Sequence, residues 1–188
     1  EHDAAVDACT AGSGADIVNV PAGTYALTVV NNSLTGENGF PQVESTITLV
    51  GEGAGSTVIT RSGDTLFRFF RVNAVTGNLT LNGVTLSNAN STTGGHDGGA
   101  VRNFGTLTVL NSTLSDNRSE ASGSAIFSQG SASAVSVINS TLSGNSGSAA
   151  LGTCCGGTAT VINSTLSGNS HGGIENGNTL VVTYSTIA

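Results

Sequence analysis

Lysine, tryptophan and methionine are absent from this chain, and only 9% of its residues are charged. With aromatic residues at 4% and apolar residues at 37%, bulky core fillers are scarce, and a conventional globule would struggle to form a core. The missing lysine leaves Arg61, Arg68, Arg71, Arg102 and Arg118 as the whole basic complement, against twelve acids and a net charge of -7. Neither phosphate neutralisation nor a polybasic patch is then expected, which argues against nucleic acid and anionic membranes as partners. No run approaches the ~20 apolar residues that span a bilayer, so membrane insertion is not expected either. There is also no basic region followed by an apolar one of the secretory type, which leaves a cytosolic protein or a mature chain whose signal was removed.

Cysteine is limited to Cys9, Cys154 and Cys155. Adjacent cysteines cannot easily share a metal, and no Cys-x-x-Cys or histidine spacing accompanies them, so no metal site and no cofactor is expected. They read either as small buried hydrophobes or, in an oxidising compartment, as disulfide candidates. The bridge would be vicinal or would run from Cys9 to one of the pair. The second option needs the start of the chain near residue 154, which a rod ordered by sequence disfavours.

Glycine, at 27 copies, and repetition are what the chain has in quantity. Asn111-Ser-Thr-Leu-Ser-Asp-Asn117 recurs as Asn139-Ser-Thr-Leu-Ser-Gly-Asn145 and Asn163-Ser-Thr-Leu-Ser-Gly-Asn169. The leucines at 86, 114, 142 and 166, followed by Ile187, advance in steps of 28, 28, 24 and 21 residues. A second column, Gly98-Gly-Ala-Val101, Gly123-Ser-Ala-Ile126, Ala149-Ala-Leu151 and Gly172-Gly-Ile174, keeps phase with the first. Each period holds three short strand-like runs and shows no apolar spacing of 3.6, which excludes helical repeats. The expectation is an all-β, right-handed, single-stranded parallel β-helix with three strands per coil and about seven coils. It forms one domain, 1–188, divided into an N-terminal cap at 1–15, opening coils at 16–78 and regular repeats at 79–188. Asp3-Ala-Ala-Val-Asp-Ala-Cys-Thr10 reads as a short capping helix with Asp3 as N-cap. A solenoid suits this composition because each coil buries small aliphatic residues against its neighbours.

Alternation places Leu107, Val109, Val135, Val137, Ala159 and Val161 inside, with Leu114, Leu142 and Leu166 after the turn. Asn111, Asn139 and Asn163 then occupy a corner, where asparagine tolerates unusual backbone angles and its amide reaches the same amide one coil away. These triplets also match the glycosylation acceptor pattern, as do Asn31, Asn78, Asn90 and Asn117; a stacked corner amide is the preferred reading at the corner. Outward, Thr85, Thr113, Thr141 and Thr165, extended by Thr186, stack with Ser87, Ser115, Ser143 and Ser167 as a hydroxyl face. Leu110, Ile138 and Ile162 form an apolar stripe beside it, an association surface. The final residues Thr186, Ile187 and Ala188 fall inside a repeat with no cap, so another chain or further coils are expected to cover that edge.

Gly-Gly-Ala-Val101 together with Thr-Leu-Ser-Asp-Asn117 resembles the paired repeats of polymorphic outer-membrane-type β-helix proteins, with Leu114, Leu142 and Leu166 in place of the family's Phe. Gly14-Ala-Asp-Ile17 and Val20-Pro-Ala-Gly-Thr-Tyr25 are similar to the opening segment of bacterial secreted or surface-anchored right-handed β-helix proteins. The resemblance implies a secreted, extracellular or cell-surface location and spans activities from adhesins to polysaccharide lyases.

Catalytic chemistry finds little support. A lyase on this fold wants a basic residue and a column of acids, and a glycosidase wants two facing carboxylates. The one cluster is His96 and Asp97 with Arg102, in the loop from Ser87 to Gly99, a weak catalytic candidate that reads more simply as a solvated turn. His171 and Glu175 are too few to bind a metal. The leading expectation is a non-catalytic structural or adhesive surface protein, self-associating into oligomers or filaments and binding surface glycans. A polysaccharide lyase or glycoside hydrolase is the first alternative and an ice-binding solenoid, through the Thr-x-Ser face, the second.

Overall fold

A computed structural model describes residues 14–92 and 96–188. The expected capping helix and Cys9 fall outside the described residues, which contain strands and turns but no helix. The chain opens with β1 (Asp16–Val20) and β2 (Gly23–Leu27). The first complete turn follows as β3 (Thr46–Gly51), β4 (Thr57–Arg61) and β5 (Phe70–Val72). The next is β6 (Asn78–Asn82), β7 (Thr85–Ser87) and β8 (Val101–Asn103). Then come β9 (Thr106–Leu110), β10 (Thr113–Ser115) and β11 (Ile126–Gln129), and β12 (Ala134–Ile138), β13 (Thr141–Ser143) and β14 (Leu151–Cys154). The last complete turn is β15 (Thr158–Ile162), β16 (Thr165–Ser167) and β17 (Ile174–Asn176), after which β18 (Thr179–Thr183) and β19 (Thr186–Ile187) close the chain.

Every third strand pairs in parallel with its counterpart one coil away, which builds three sheets. The first runs β1-β3-β6-β9-β12-β15-β18 and the second β2-β4-β7-β10-β13-β16-β19, while the third, β5-β8-β11-β14-β17, has five strands. The architecture is therefore an all-β parallel solenoid of about five turns, not the seven expected. The shortfall lies mainly at the start. Between β2 and β3 the chain does not form a third-sheet strand but doubles back through the Asn32–Asn38 antiparallel bridge, and it bridges to the stack at Asn38–Arg68 and Val43–Val72. Asn38, buried, ties this loop by donating to Asn32 Oδ1 at 2.8 Å and to the Gly36 carbonyl at 2.7 Å.

Parallel in-register pairing stacks like on like, so the interior consists of columns. Leu49, Leu81, Val109, Val137, Val161 and Val182 form one. Ile59, Leu86, Leu114, Leu142, Leu166 and Ile187 form the second. Phe70, Val101, Ile126, Leu151 and Ile174 form the third. Leu107, Val109, Leu114, Val137, Leu142, Val161 and Leu166 are fully buried, as alternation predicts. Small residues suffice because each coil supplies the lid of the one before it. Gly123 shows why glycine recurs at the bends: its φ is +63°, and a Cβ there would overlap the Ile126 carbonyl.

Candidate functional site

Three stacks of polar side chains run along the corners. At the bend after the first sheet, Asn111, Asn139 and Asn163 have φ of 50°, 49° and 47°, the left-handed region that asparagine enters more readily than other non-glycine residues. Their amides reach one coil back: Asn111 donates to Asn82 at 3.0 Å, Asn139 to Asn111 at 3.3 Å and Asn163 to Asn139 at 2.9 Å. The serines that follow turn inward and are buried. Ser112 N–H donates to Ser140 Oγ, Ser140 N–H to Ser164 Oγ and Ser164 N–H to Ser185 Oγ, at 3.0 to 3.1 Å.

The third stack was not expected. Asn117 and Asn145 are wholly buried. Asn117 Nδ2 donates to Asn145 Oδ1 at 3.1 Å and Asn145 Nδ2 to Asn169 Oδ1 at 3.0 Å, while the backbone N–H groups of Asn117 and Asn145 donate to the same two oxygens. Each amide also caps a carbonyl of the previous coil, Leu86, Leu114 and Leu142 in turn. An acceptor triplet at Asn117 therefore points at a residue with no room for a glycan. Its recurrence as the seventh residue of the repeat was the signal, since an invariant polar residue after an apolar strand marks a bend whose backbone needs a partner.

The outward columns are in register. Thr85, Thr113, Thr141, Thr165 and Thr186 follow one another along the second sheet. The first three are half-buried and the last two exposed; Ser87 is buried, and Thr85 Oγ1 donates to the Ala54 carbonyl at 2.5 Å. Leu110, Ile138 and Ile162 are likewise consecutive and half-buried. On β18 and β19, Val181, Val182 and Ile187 are exposed, and Ala188 follows with its N–H donated to the Leu166 carbonyl at 2.9 Å. Cys154 and Cys155 form a vicinal disulfide at the turn after β14, with Cys155 at φ +63°. His171 Nδ1 meets Ser170 Oγ at 2.8 Å, and Glu175 lies on β17 in register with Gly152.

On the third sheet, Arg102 pairs in register with Arg71 on one side and Phe127 on the other, and Phe127 with Gly152. Among the described residues this column reads Arg71, Arg102, Phe127, Gly152 and Glu175. Of His96 and Asp97, Asp97 reaches Arg102. Asp97 Oδ2 sits 3.4 Å from Arg102 Nη2, which also donates to Gln129 Oε1 at 3.1 Å. The His96 carbonyl anchors the loop by accepting from Ser91 at 2.9 Å and Ser119 at 3.0 Å. Among the described residues no three His, Cys, Asp or Glu side chains gather as metal ligands.

Three of the five arginines, Arg68, Arg71 and Arg102, are neighbours. Arg71 and Arg102 each hold their guanidinium 4.9 Å from the Phe104 ring centroid. Arg71 donates to Thr35 Oγ1 at 2.8 Å and to Gln42 Oε1. Arg68 is completely buried, and a Cβ on Gly36 would collide with both its Nη2 and the His96 ring. Burial, reinforced by repulsion from Arg102 and Arg71, pushes the Arg68 pKa down to about 10, with Asp97 and Glu37 opposing. Arg71 is lowered for the same reason, burial first and then Arg102, with Glu44 opposing. Composition could not reveal this patch, because Arg68, Arg71 and Arg102 meet only through the coil register.

No protein-family model, curated protein or solved structure matches this chain.

Proposed function

We propose that this protein is a non-catalytic structural or adhesive component of the extracellular space or cell surface, a right-handed β-helix that presents flat column faces. The observation that carries the proposal is where its polar groups go. Asn111, Asn139 and Asn163, Asn117, Asn145 and Asn169, and Ser112, Ser140 and Ser164 all take part in hydrogen bonds from coil to coil. Such stacks stiffen a rod and leave ribbons of hydroxyl and aliphatic side chains facing outward. The Cys154–Cys155 disulfide supports an oxidising location. Self-association end to end belongs to the same proposal, through the exposed aliphatic side chains of Val182 on β18 and Ile187 on β19. Surface glycans are the proposed ligands of the column faces.

Analytical ultracentrifugation and electron microscopy across a range of protein concentration test the association, alongside incubation with neutral and acidic polysaccharides. The expected outcome is concentration-dependent association, with no new reducing ends and no unsaturated products. Polysaccharide cleavage that disappears when His96 and Asp97 are both replaced by Ala contradicts the proposal and restores the lyase or hydrolase alternative.

A further inference from the structure

In a chain of net charge -7, Arg71 and Arg102 lie in register on the third sheet, and the buried Arg68 donates to the carbonyl of Thr35, whose hydroxyl accepts from Arg71. Like charges repel, and burial removes the water that would solvate them, so gathering Arg68, Arg71 and Arg102 opposes their electrostatic preference. The compensation among the described residues is thin. One carboxylate, Asp97, lies within ion-pair range of the cluster, and at 3.4 Å from Arg102 it is a loose pair.

The donors are under-used as well. Arg68 Nη2 donates to the Thr35 carbonyl at 3.1 Å, but Arg68 Nε and Nη1 and Arg102 Nε are buried without an acceptor. Unpaired buried guanidinium N–H groups are rare because each loses its hydration and gains nothing in return. Neighbouring guanidiniums with spare donors on Arg68 and Arg102 have the form of an acceptor-binding site, since their planar forks match the two-oxygen edge of a carboxylate, sulfate or phosphate.

We propose that Arg68, Arg71 and Arg102 form an oxyanion-binding site, which takes a carboxylate or sulfate group carried by an acidic sugar, or a free inorganic anion of the same shape. The ligand approaches along Arg102 and Asp97, whose side chains are 15% and 23% exposed. Asp97 is the competitor it displaces. Arg68 contributes charge from beneath, and Phe104 fixes the planes of the two outer guanidiniums. The site is independent of the structural reading above, which stands or falls on association and on polysaccharide cleavage.

Thermal unfolding at constant ionic strength, with chloride as reference and glucuronate, sulfate and phosphate as probes, tests the site. Bound ligand raises the midpoint saturably. Sulfate also stabilises any protein by exclusion from its surface, so the readout is the difference between wild type and variant. Wild type is expected to gain a saturable shift that Arg102→Gln and Arg68→Met lose, that Arg118→Gln keeps, and that Asp97→Asn reaches at several-fold lower ligand concentration. Arg102→Gln, on the partly exposed side, carries the test if Arg68→Met does not fold, with circular dichroism as the check. Glucuronate acting alone assigns the site to acidic sugars; sulfate and phosphate acting equally assign it to inorganic anions. Identical shifts in wild type and Arg102→Gln with all three probes overturn the proposal.

Discussion

Asn139 and Asn145 belong to the same coil and are asparagine for different reasons. Asn139 is exposed and left-handed, so its value is mostly conformational. Replacing it by Gly should change stability by less than about 0.5 kcal/mol, whereas Ala should cost about 1 kcal/mol because of its Cβ. Asn145 is buried, and its removal strands the Asn117 N–H and Nδ2 donors and the Leu114 carbonyl. Asn145→Ala should cost about 2–3 kcal/mol in chemical denaturation; equality with Asn139→Gly contradicts the assignment. Arg68 runs the other way. Its folded pKa of about 10 lies below the ordinary arginine value, so the charged side chain destabilises the fold at every pH below about 10. Arg68→Met should therefore stabilise the protein by about 1–3 kcal/mol near neutral pH, as apolar replacement of buried charge does elsewhere. The advantage should shrink as pH rises through and beyond about 10, because the folded wild type then sheds a proton that the unfolded chain keeps. Paired denaturation curves at pH 7 and at alkaline pH measure this.

At the level of strands, the columns determine how much each residue contributes. Leu142 lies between Leu114 and Leu166 in the middle of the second sheet and is fully buried, so Leu142→Ala should cost about 2–5 kcal/mol. Ile187 occupies the same column on β19 but is 46% exposed, and Ile187→Ala should cost less than about 1 kcal/mol. Equal losses in the two variants contradict the columnar core. The inward set Leu107, Val109 and Leu114 was legible in the sequence because period-2 alternation survives unaltered in each repeat. The coil number was not. The segment between Leu27 and Thr46 lacks the repeat, and nothing in its composition distinguishes a missing strand from a degenerate one. The arginine patch stayed hidden for a related reason: Arg71 and Arg102 are neighbours only once Phe70 is in register with Val101.

Across the whole molecule, a solenoid couples each turn only to its neighbours, so stability is a sum of turns and interfaces. Parallel strands account for the faces, while the corners divide their backbone N–H groups: those of Asn111, Asn139 and Asp116 donate to carbonyls of the next coil. Those of Ser112, Ser140, Ser164, Asn117 and Asn145 donate to side-chain oxygens there. That division of labour is the central claim, and it also underlies the functional proposal, because it assigns the repeated Asn and Ser residues to rigidity and away from chemistry. Residue-resolved native-state hydrogen exchange tests it most directly. The amides of Ser112, Ser140, Asn117 and Asn145, which donate to side-chain oxygens at 3.0 to 3.1 Å, should exchange as slowly as those of the flanking strands β9 and β12. Corner amides exchanging at the rate of open turns, beside protected strands, would contradict it.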